Sequence, residues 1–187
     1  MMSEKQKPLT DYSLLITACI EGSQKAQHKL FKQFFGMLFK LCMRYAHSYE
    51  EAQDMLNEGF VKIFANLGKY QNSGSFEGWL SRVMVNAAID YQRKFAVRQE
   101  IVELDYSEEM RGGQSVENEA LSRIGNRELM TLIQQLPDQS RTVFNLYVFE
   151  EYSHADIAAL LHIKEGTSHW HLNFARTKLK EAILKMQ

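Results

Sequence analysis

The 187-residue sequence is poor in three features: it has two cysteines, two prolines and no long uninterrupted apolar run. Cys19 and Cys42 both fall at apolar positions of helix-like segments, which favours buried, reduced thiols over a disulfide or a metal pair. No stretch approaches the roughly 20 apolar residues that cross a bilayer, and the polar N-terminus, MMSEKQKPLTD, lacks the core of a signal peptide. We therefore expect no membrane insertion and a cytoplasmic location.

The scarcity of proline goes with long segments in which apolar residues recur every 3.6 positions. Hydrophobic residues make up 45% of the chain, and this periodicity predicts an all-α fold. A chain of this length has room for one ordinary domain or two small ones.

The net charge of −1 taken alone argues against a nucleic-acid binder, but its distribution along the chain does not. Residues 1–98 carry 13 Lys and Arg against 9 Asp and Glu, and residues 123–187 carry 8 against 7. Residues 99–122 carry one Arg against seven acids, include Gly112-Gly113 and have few large apolar residues. This pattern predicts two small helical domains, 1–98 and 123–187, joined by a flexible acidic linker at 99–122.

Helix start signals divide the N-terminal part of the chain into four predicted helices. A short helix from Tyr12 to Ile20 is expected to stop at Gly22, and Ser23 caps the next one. A capping box at Ser48 opens the third helix, and a turn-rich loop separates it from a fourth, expected over 76–97.

The stretch from Glu150 to Leu179 predicts a helix-turn-helix. Ser153 followed three residues later by Asp156 forms a capping box, and the run His162–Gly166 breaks the apolar period before a longer helix with a basic C-terminal half. The second helix of such a motif lies in the DNA major groove. Many helical hairpins share this pattern, so DNA binding does not follow from it alone.

Three motifs carry a resemblance to a known family. The run Ala52–Phe60, continued by Val61–Phe64, resembles the polymerase-binding helix of bacterial sigma factors. Ser75–Val83 and Asn86–Lys94 resemble their promoter-melting helix. The spacing to Leu136-Pro137, Arg141 and the helix-turn-helix is similar to that of the smallest sigma factors, the extracytoplasmic-function (ECF) group.

The resemblance implies a function in transcription initiation. A member of this family binds core RNA polymerase through the β′ clamp helices and the β flap, directs it to promoters and has no catalytic activity or cofactor of its own. It also implies an anti-sigma factor as a partner and a linker that passes through the channel later occupied by RNA, which suits an acidic segment.

The resemblance also assigns residues to three contacts. For two of them an alternative is open: the polymerase strip could be an ordinary solvated face, and Trp79 fits a core position as well as a base platform. The polymerase-binding strip is Asp54, Asn57, Glu58 and Lys62; the −10 contacts are Tyr70, Asn72, Ser73, Phe76, Trp79, Arg82, Asn86, Arg93 and Lys94; the −35 contacts are Thr167, His169, Trp170, His171, Phe174, Arg176 and Lys178.

The second helix of the helix-turn-helix departs from its relatives. His162 and Lys164 stand where Gly and Ser are usual, which weakens a C-cap and an N-cap by about 1 kcal/mol each. Helical spacing places Trp170 and Phe174 together on the outward face. Three destinations are open for this pair: thymine methyls in the major groove, a seat for an anti-sigma partner, or packing against the other domain.

Four histidines near the motif do not predict a metal site. His169 and His171 lie two residues apart on a helix and diverge by about 200°, so they cannot share one metal. Surface polar residues are the better interpretation of the cluster, which His154 and His162 complete. Their titration near neutrality gives a further hypothesis, that DNA affinity depends on pH.

Two other functions remain open at this point. One is a stand-alone regulator that uses only the helix-turn-helix, binds duplex DNA without polymerase and dimerises. The other is a sigma-like interaction protein whose altered recognition helix no longer reads DNA.

Overall fold

The computed structural model describes residues 12–71, 74–99 and 126–186, and every regular element in these ranges is helical. This confirms the all-α prediction. Almost all of the predicted linker lies outside the described residues. The helices are α1 (Ser13–Ile20), α2 (Gln24–Tyr45), α3 (Tyr49–Asn66), α4 (Phe76–Gln99), α5 (Asn126–Gln134), α6 (Asp138–Val148), α7 (His154–Leu161) and α8 (Glu165–Lys185).

Side-chain caps start α2 and α3 where the sequence predicts them. The Ser23 hydroxyl accepts from the backbone N–H of Ala26 at 3.4 Å, and the Ser48 hydroxyl accepts from that of Glu51 at 3.1 Å. The Glu51 carboxylate in turn accepts from the backbone N–H of His47 at 2.6 Å. These bonds satisfy amides that the first helical turn leaves without a partner.

Helices α1 to α4 form the N-terminal unit, in which α2, α3 and α4 pack around a fully buried core. Leu38, Leu56 and Leu80 contribute one buried side chain from each of these helices. Gly59 on α3 lets α4 come close, because a Cβ at this position would lie 2.2 Å from the Met84 sulfur. This packing fixes the angle at which α4 leaves the loop before it.

Helices α5 to α8 form the C-terminal unit, and α7 and α8 are its helix-turn-helix. The Ser153 and Asp156 capping box that begins α7 is present. His162 ends α7 with φ 57°, the left-handed conformation in which Gly is usual, and Lys164 precedes α8 without a side-chain cap. Both weakened caps predicted from the sequence are therefore present.

The two units pack against each other at the C-terminus of α2, and their buried apolar residues form one continuous cluster. The last carbonyls of a helix have no partner within it. Here the Gln134 amide donates to the carbonyl of Met43 at 3.0 Å, and the Asn145 amide donates to that of Arg44 at 2.7 Å. Side chains of the C-terminal unit thus cap a helix of the N-terminal unit.

A fully buried cation, Arg141 of α6, lies at the same junction. Its guanidinium donates to the carbonyls of Gln134 and Leu136 at 2.8 and 3.2 Å and pairs with Asp138 at 2.7 Å. It also contacts both ring nitrogens of His47, at 3.0 and 2.9 Å. Burial lowers the pKa of Arg141, whereas Asp138 opposes that shift. The family-like Arg141 of the sequence motif is therefore a structural residue of the interface.

Candidate nucleic-acid interface

The predicted polymerase strip on α3 is only partly free. Asp54 and Asn57 are exposed, whereas Glu58 and Lys62 are half-buried and paired with α4. Glu58 pairs with Lys94 at 2.8 Å, and Lys62 pairs with Asp90 at 2.6 Å. These two pairs tie α3 to α4 and place the open part of the strip around Asn57.

An apolar residue that the sequence analysis did not select lies beside this open part. Val61 is 69% exposed and follows Asn57 by one helical turn and Asp54 by two. The sequence signal was available, since Val61 falls outside the stripe of apolar residues that α3 buries. Singly exposed apolar residues are common on protein surfaces, so Val61 is a candidate contact only because it continues the open part of this strip.

Aromatic residues cluster where the loop before α4 meets the core. The ring centroid of Phe76 lies 5.1 Å from Tyr70, 5.1 Å from Tyr12 and 6.0 Å from Trp79. Phe76 is 3% exposed, whereas Tyr70 and Trp79 are half-buried. This burial argues against a direct base contact by Phe76, which instead supports the two rings above it.

The loop after Tyr70 is closed by hydrogen bonds. The Tyr70 hydroxyl donates to the carbonyl of Gly74 at 3.0 Å, and Gly74 has φ 98°, which favours glycine. The Ser75 hydroxyl accepts from the backbone N–H of Gly78 and caps α4. Asn72 and Ser73, both predicted −10 contacts, lie outside the described residues.

Along α4, Arg82 and Asn86 are exposed and lie one turn apart, on the surface that continues from Trp79. Further along, Arg93 donates to the carbonyl of Leu160 on α7 at 2.7 Å, and Lys94 is engaged by Glu58. Of the four polar or cationic −10 contacts predicted on α4, two are thus open and two are held by protein groups in this arrangement.

On α8 the predicted −35 residues divide into an outward and an inward set. His169, Trp170, Arg176 and Lys178 are exposed, and Thr167 and Phe174 are half-buried. His171 is buried, hydrogen-bonds the Ser140 hydroxyl at 2.9 Å, and has its pKa lowered by desolvation. The geometry therefore argues against a base contact by His171.

His169 belongs to a stack of rings that crosses the helix-turn-helix. Its ring centroid lies 3.6 Å from that of His154, which lies 4.6 Å from Tyr147, and Arg176 approaches the same tyrosine. Burial foremost, and then the neighbouring His169, lower the pKa of His154. In the described ranges no group of three or more His, Cys, Asp or Glu residues could hold a metal ion.

None of the described helices is both long and apolar enough to cross a membrane. The described residues thus offer three candidate contact surfaces: an exposed strip on α3, an aromatic loop leading onto α4, and the outer face of α8. A helix-turn-helix face with cations at its C-terminal end fits duplex DNA, and a loop flanked by aromatic rings fits single-stranded bases.

Two family models match the chain, one in each unit. Residues 30–97 match Sigma-70 region 2, and residues 126–179 match Sigma-70, region 4. Together the two matches cover about two thirds of the chain. The first contains α3, the aromatic loop and most of α4, and the second contains the helix-turn-helix.

Relatives with known names agree with these matches. The chain is 28% identical over 169 residues to ECF RNA polymerase sigma factor SigE of Mycolicibacterium smegmatis, covering 88% of this chain and 64% of the relative. It is 27% identical over 179 residues to RNA polymerase sigma-H factor of Pseudomonas aeruginosa, covering 90% and 92%. ECF RNA polymerase sigma factor SigW of Bacillus subtilis is 26% identical over 171 residues, covering 87% and 91%.

A solved structure shares the fold. The sigma factor RpoE of Bartonella quintana, solved in complex with the anti-sigma factor NepR, aligns with a TM-score of 0.53 at 17% identity. The alignment covers 84% of this chain and 96% of that one.

Proposed function

We propose that this chain, which belongs to the extracytoplasmic-function group of the sigma-70 family, binds core RNA polymerase and brings it to a promoter. Members of this family bind core RNA polymerase and direct promoter-specific transcription initiation. One observation carries the proposal for this chain: both family regions occur in order, and each bears an exposed surface suited to its part of the task.

The polymerase contact is proposed for the open part of α3. Asp54 and Asn57 supply polar contacts to the β′ clamp helices, and Val61 adds an apolar one. Glu58 and Lys62 act indirectly, because their pairs with α4 hold the helix that carries this surface. The β flap is the proposed partner of the C-terminal unit.

The −10 contact is proposed for the aromatic loop and the surface of α4. Opening a promoter requires bases to be taken from the stack and held, and half-buried rings beside a loop provide such a platform. Tyr70 and Trp79 lie at that position, and Arg82 and Asn86 continue the surface along α4. The −35 contact is proposed for the outer face of α8 in the major groove.

Reading both elements requires the two units to separate. Positions −35 and −10 are roughly 25 base pairs, or about 85 Å, apart along B-DNA. A compact chain of this length is only about 40 Å across. The packed arrangement therefore corresponds to the free chain, and we propose that promoter-bound polymerase holds the units apart.

Partners and chemistry follow from the same account. A relative of the same fold is solved with an anti-sigma factor, and we propose such a regulator for this chain. We also propose that the chain works in the cytoplasm, where polymerase and promoter DNA are, and that it catalyses no reaction of its own. Binding energy positions the polymerase and favours the open strand.

Permanganate footprinting tests the proposal, because permanganate oxidises thymines that have lost their stacking partners. The probe is a promoter fragment taken from upstream of this chain's own gene, incubated with core polymerase and the purified protein. We expect reactive thymines near −10 only when both are present. Duplex binding by the chain alone, as a dimer and without melting, would favour the stand-alone regulator instead.

A further inference from the structure

The outer face of α8 carries a stripe of three side chains, Trp170, Phe174 and Lys178. Trp170 and Phe174 stack at 5.3 Å between ring centroids with an interplanar angle of 21°, and the Lys178 ammonium lies 5.8 Å from the Phe174 ring. The three residues are spaced by four, so they run about 12 Å along one side of the helix. Trp170 is 45% exposed although it is among the largest apolar side chains.

The stripe is held in place from beneath. The ring of His171 meets Trp170 edge-on at 4.8 Å, and His171 is itself buried and bonded to Ser140 of α6. On one side, His169 is drawn away from the stripe into its stack with His154. Trp170 is therefore presented outward by neighbours that are themselves fixed, and the half-buried Phe174 stacks beside it.

The charges around the stripe indicate what covers it. Within α8, Arg176, Lys178, Lys180 and Lys185 outnumber Glu165 and Glu181, and all four cations lie in the C-terminal half of the helix. Such a surface, apolar at one end and cationic at the other, complements the DNA major groove, which is lined by phosphates at its edges and exposes methyl groups on the bases. In the DNA major groove, the only methyl group is that of thymine.

We propose that Trp170 and Phe174 read thymine through its C5-methyl group, and that Lys178 exchanges its exposed 3.3 Å pair with Glu181 for the adjacent phosphate. This inference rests on the proposed −35 contact and adds a base preference to it. Laid along the major groove, a stripe of about 12 Å spans three to four base pairs, and the aromatic pair within it spans about two. The chain therefore selects −35 elements with thymine facing the N-terminal half of α8.

Replacing thymine by deoxyuridine isolates this contact, because it removes the methyl group and leaves every hydrogen-bonding group of the base in place. The probe is a synthetic duplex with the −35 element mapped from this protein's own transcripts, with deoxyuridine placed only in that element. Affinity is measured for the complex of full-length chain and core polymerase. We expect a loss of about fourfold per contacted methyl group, the effect of one buried methylene-sized group.

Three variants make the result specific. W170S with F174S should bind the thymine and deoxyuridine duplexes equally, and F174L should keep part of the discrimination. K178A should weaken both duplexes alike and lower the dependence of log affinity on log salt by about one. L184S makes the same kind of change at a 57% exposed position near the C-terminal end of α8, so it is the matched control and should keep full discrimination.

Two outcomes would overturn the inference. One is equal affinity of the unaltered chain for the two duplexes while it still directs transcription, which would leave a protein partner as the occupant of the stripe. The other is full discrimination by the double serine variant. Absence of any protein-dependent transcript would instead contradict the proposed function, so the two failures are distinguishable.

Discussion

The side-chain amide of Asn145 in α6 donates to the backbone carbonyl of Arg44 at the end of α2, at 2.7 Å and across 101 positions of sequence. Arg44 belongs to the N-terminal unit and Asn145 to the C-terminal unit, where Asn145 is fully buried. The carbonyl of Arg44 lies in the last turn of α2 and has no donor within that helix, so the Asn145 amide favours the arrangement in which the two units are packed. The packing of the two units is thus built partly from hydrogen bonds to a helix end.

Replacing Asn145 by Ala should weaken this packing. The change removes the donor to the Arg44 carbonyl and also a buried side-chain oxygen that has no partner, so we expect the free energy of unfolding to fall by about 1 kcal/mol. Urea denaturation measures the loss, and small-angle scattering should show a larger radius of gyration. N173A removes an exposed amide from α8 and should change neither quantity.

Promoter engagement should separate the units. Labels on cysteines introduced at the exposed positions Lys29 and Lys180 report their distance by energy transfer. The native thiols interfere little, because Cys19 and Cys42 are buried and desolvation raises the pKa of Cys42 to about 12. Transfer should be high in the free chain and fall when core polymerase and promoter DNA are added. Unchanged transfer in an active complex would contradict the opening step.

An acidic residue at Val61 should impair polymerase binding without unfolding the protein. Val61 is 69% exposed on the open part of the α3 surface, so V61D places a charge where the account has an apolar contact. Affinity for core polymerase, measured by titration, should fall about tenfold, which corresponds to about 1.4 kcal/mol, while the urea midpoint stays unchanged. The control is L14D, which makes the same kind of change at an 85% exposed position on α1.

Glycine at position 162 should stabilise the C-terminal unit. His162 ends α7 with φ 57°, a conformation that costs a residue with a Cβ about 1 kcal/mol relative to glycine. H162G should therefore raise the unfolding midpoint in urea. A lower midpoint would mean that the His162 side chain makes a stabilising contact that outweighs the backbone cost.

Acid should destabilise the fold below about pH 6.5, in part through His171. Burial lowers the pKa of His171 in the folded state, so the unfolded chain binds its proton more readily. Stability is then present above the unfolded pKa of about 6.5 and is lost as the pH falls toward the folded pKa. Urea titrations at pH 7.5 and 5.5 measure the slope. H171Q should reduce it, whereas N173A, which removes no titratable group from the same helix, should not.

Local features of the fold were predictable from the sequence. Caps at Ser23, Ser48 and Ser153 act on amides three residues away, so the signal and the structure lie in one short window. The end of α7 at His162, where the backbone is left-handed, is also set by residues close together in the sequence. Long-range features were not predictable in this way, because Gln134 and Asn145 cap a helix about 100 residues earlier in the chain.

In the candidate site, too, local features were predictable from the sequence and long-range ones were not. The exposed residues of α8 follow from helical spacing, and so in hindsight does the burial of His171, which falls on the stripe of Ser168, Leu172 and Ala175. Phe76 is harder to place, since it starts its helix and its burial depends on Tyr12, which precedes α1, and on Phe34 of α2. The engagement of Arg93 by Leu160 depends on how the units pack.

Run-off transcription tests the central claim most directly. Purified core RNA polymerase is incubated with and without this chain on a fragment library from the source genome that includes the region upstream of its own gene. The account predicts discrete transcripts that require the protein and whose aligned start sites share elements near −10 and −35. Absence of such transcripts, despite co-elution of the chain with core polymerase, would contradict it.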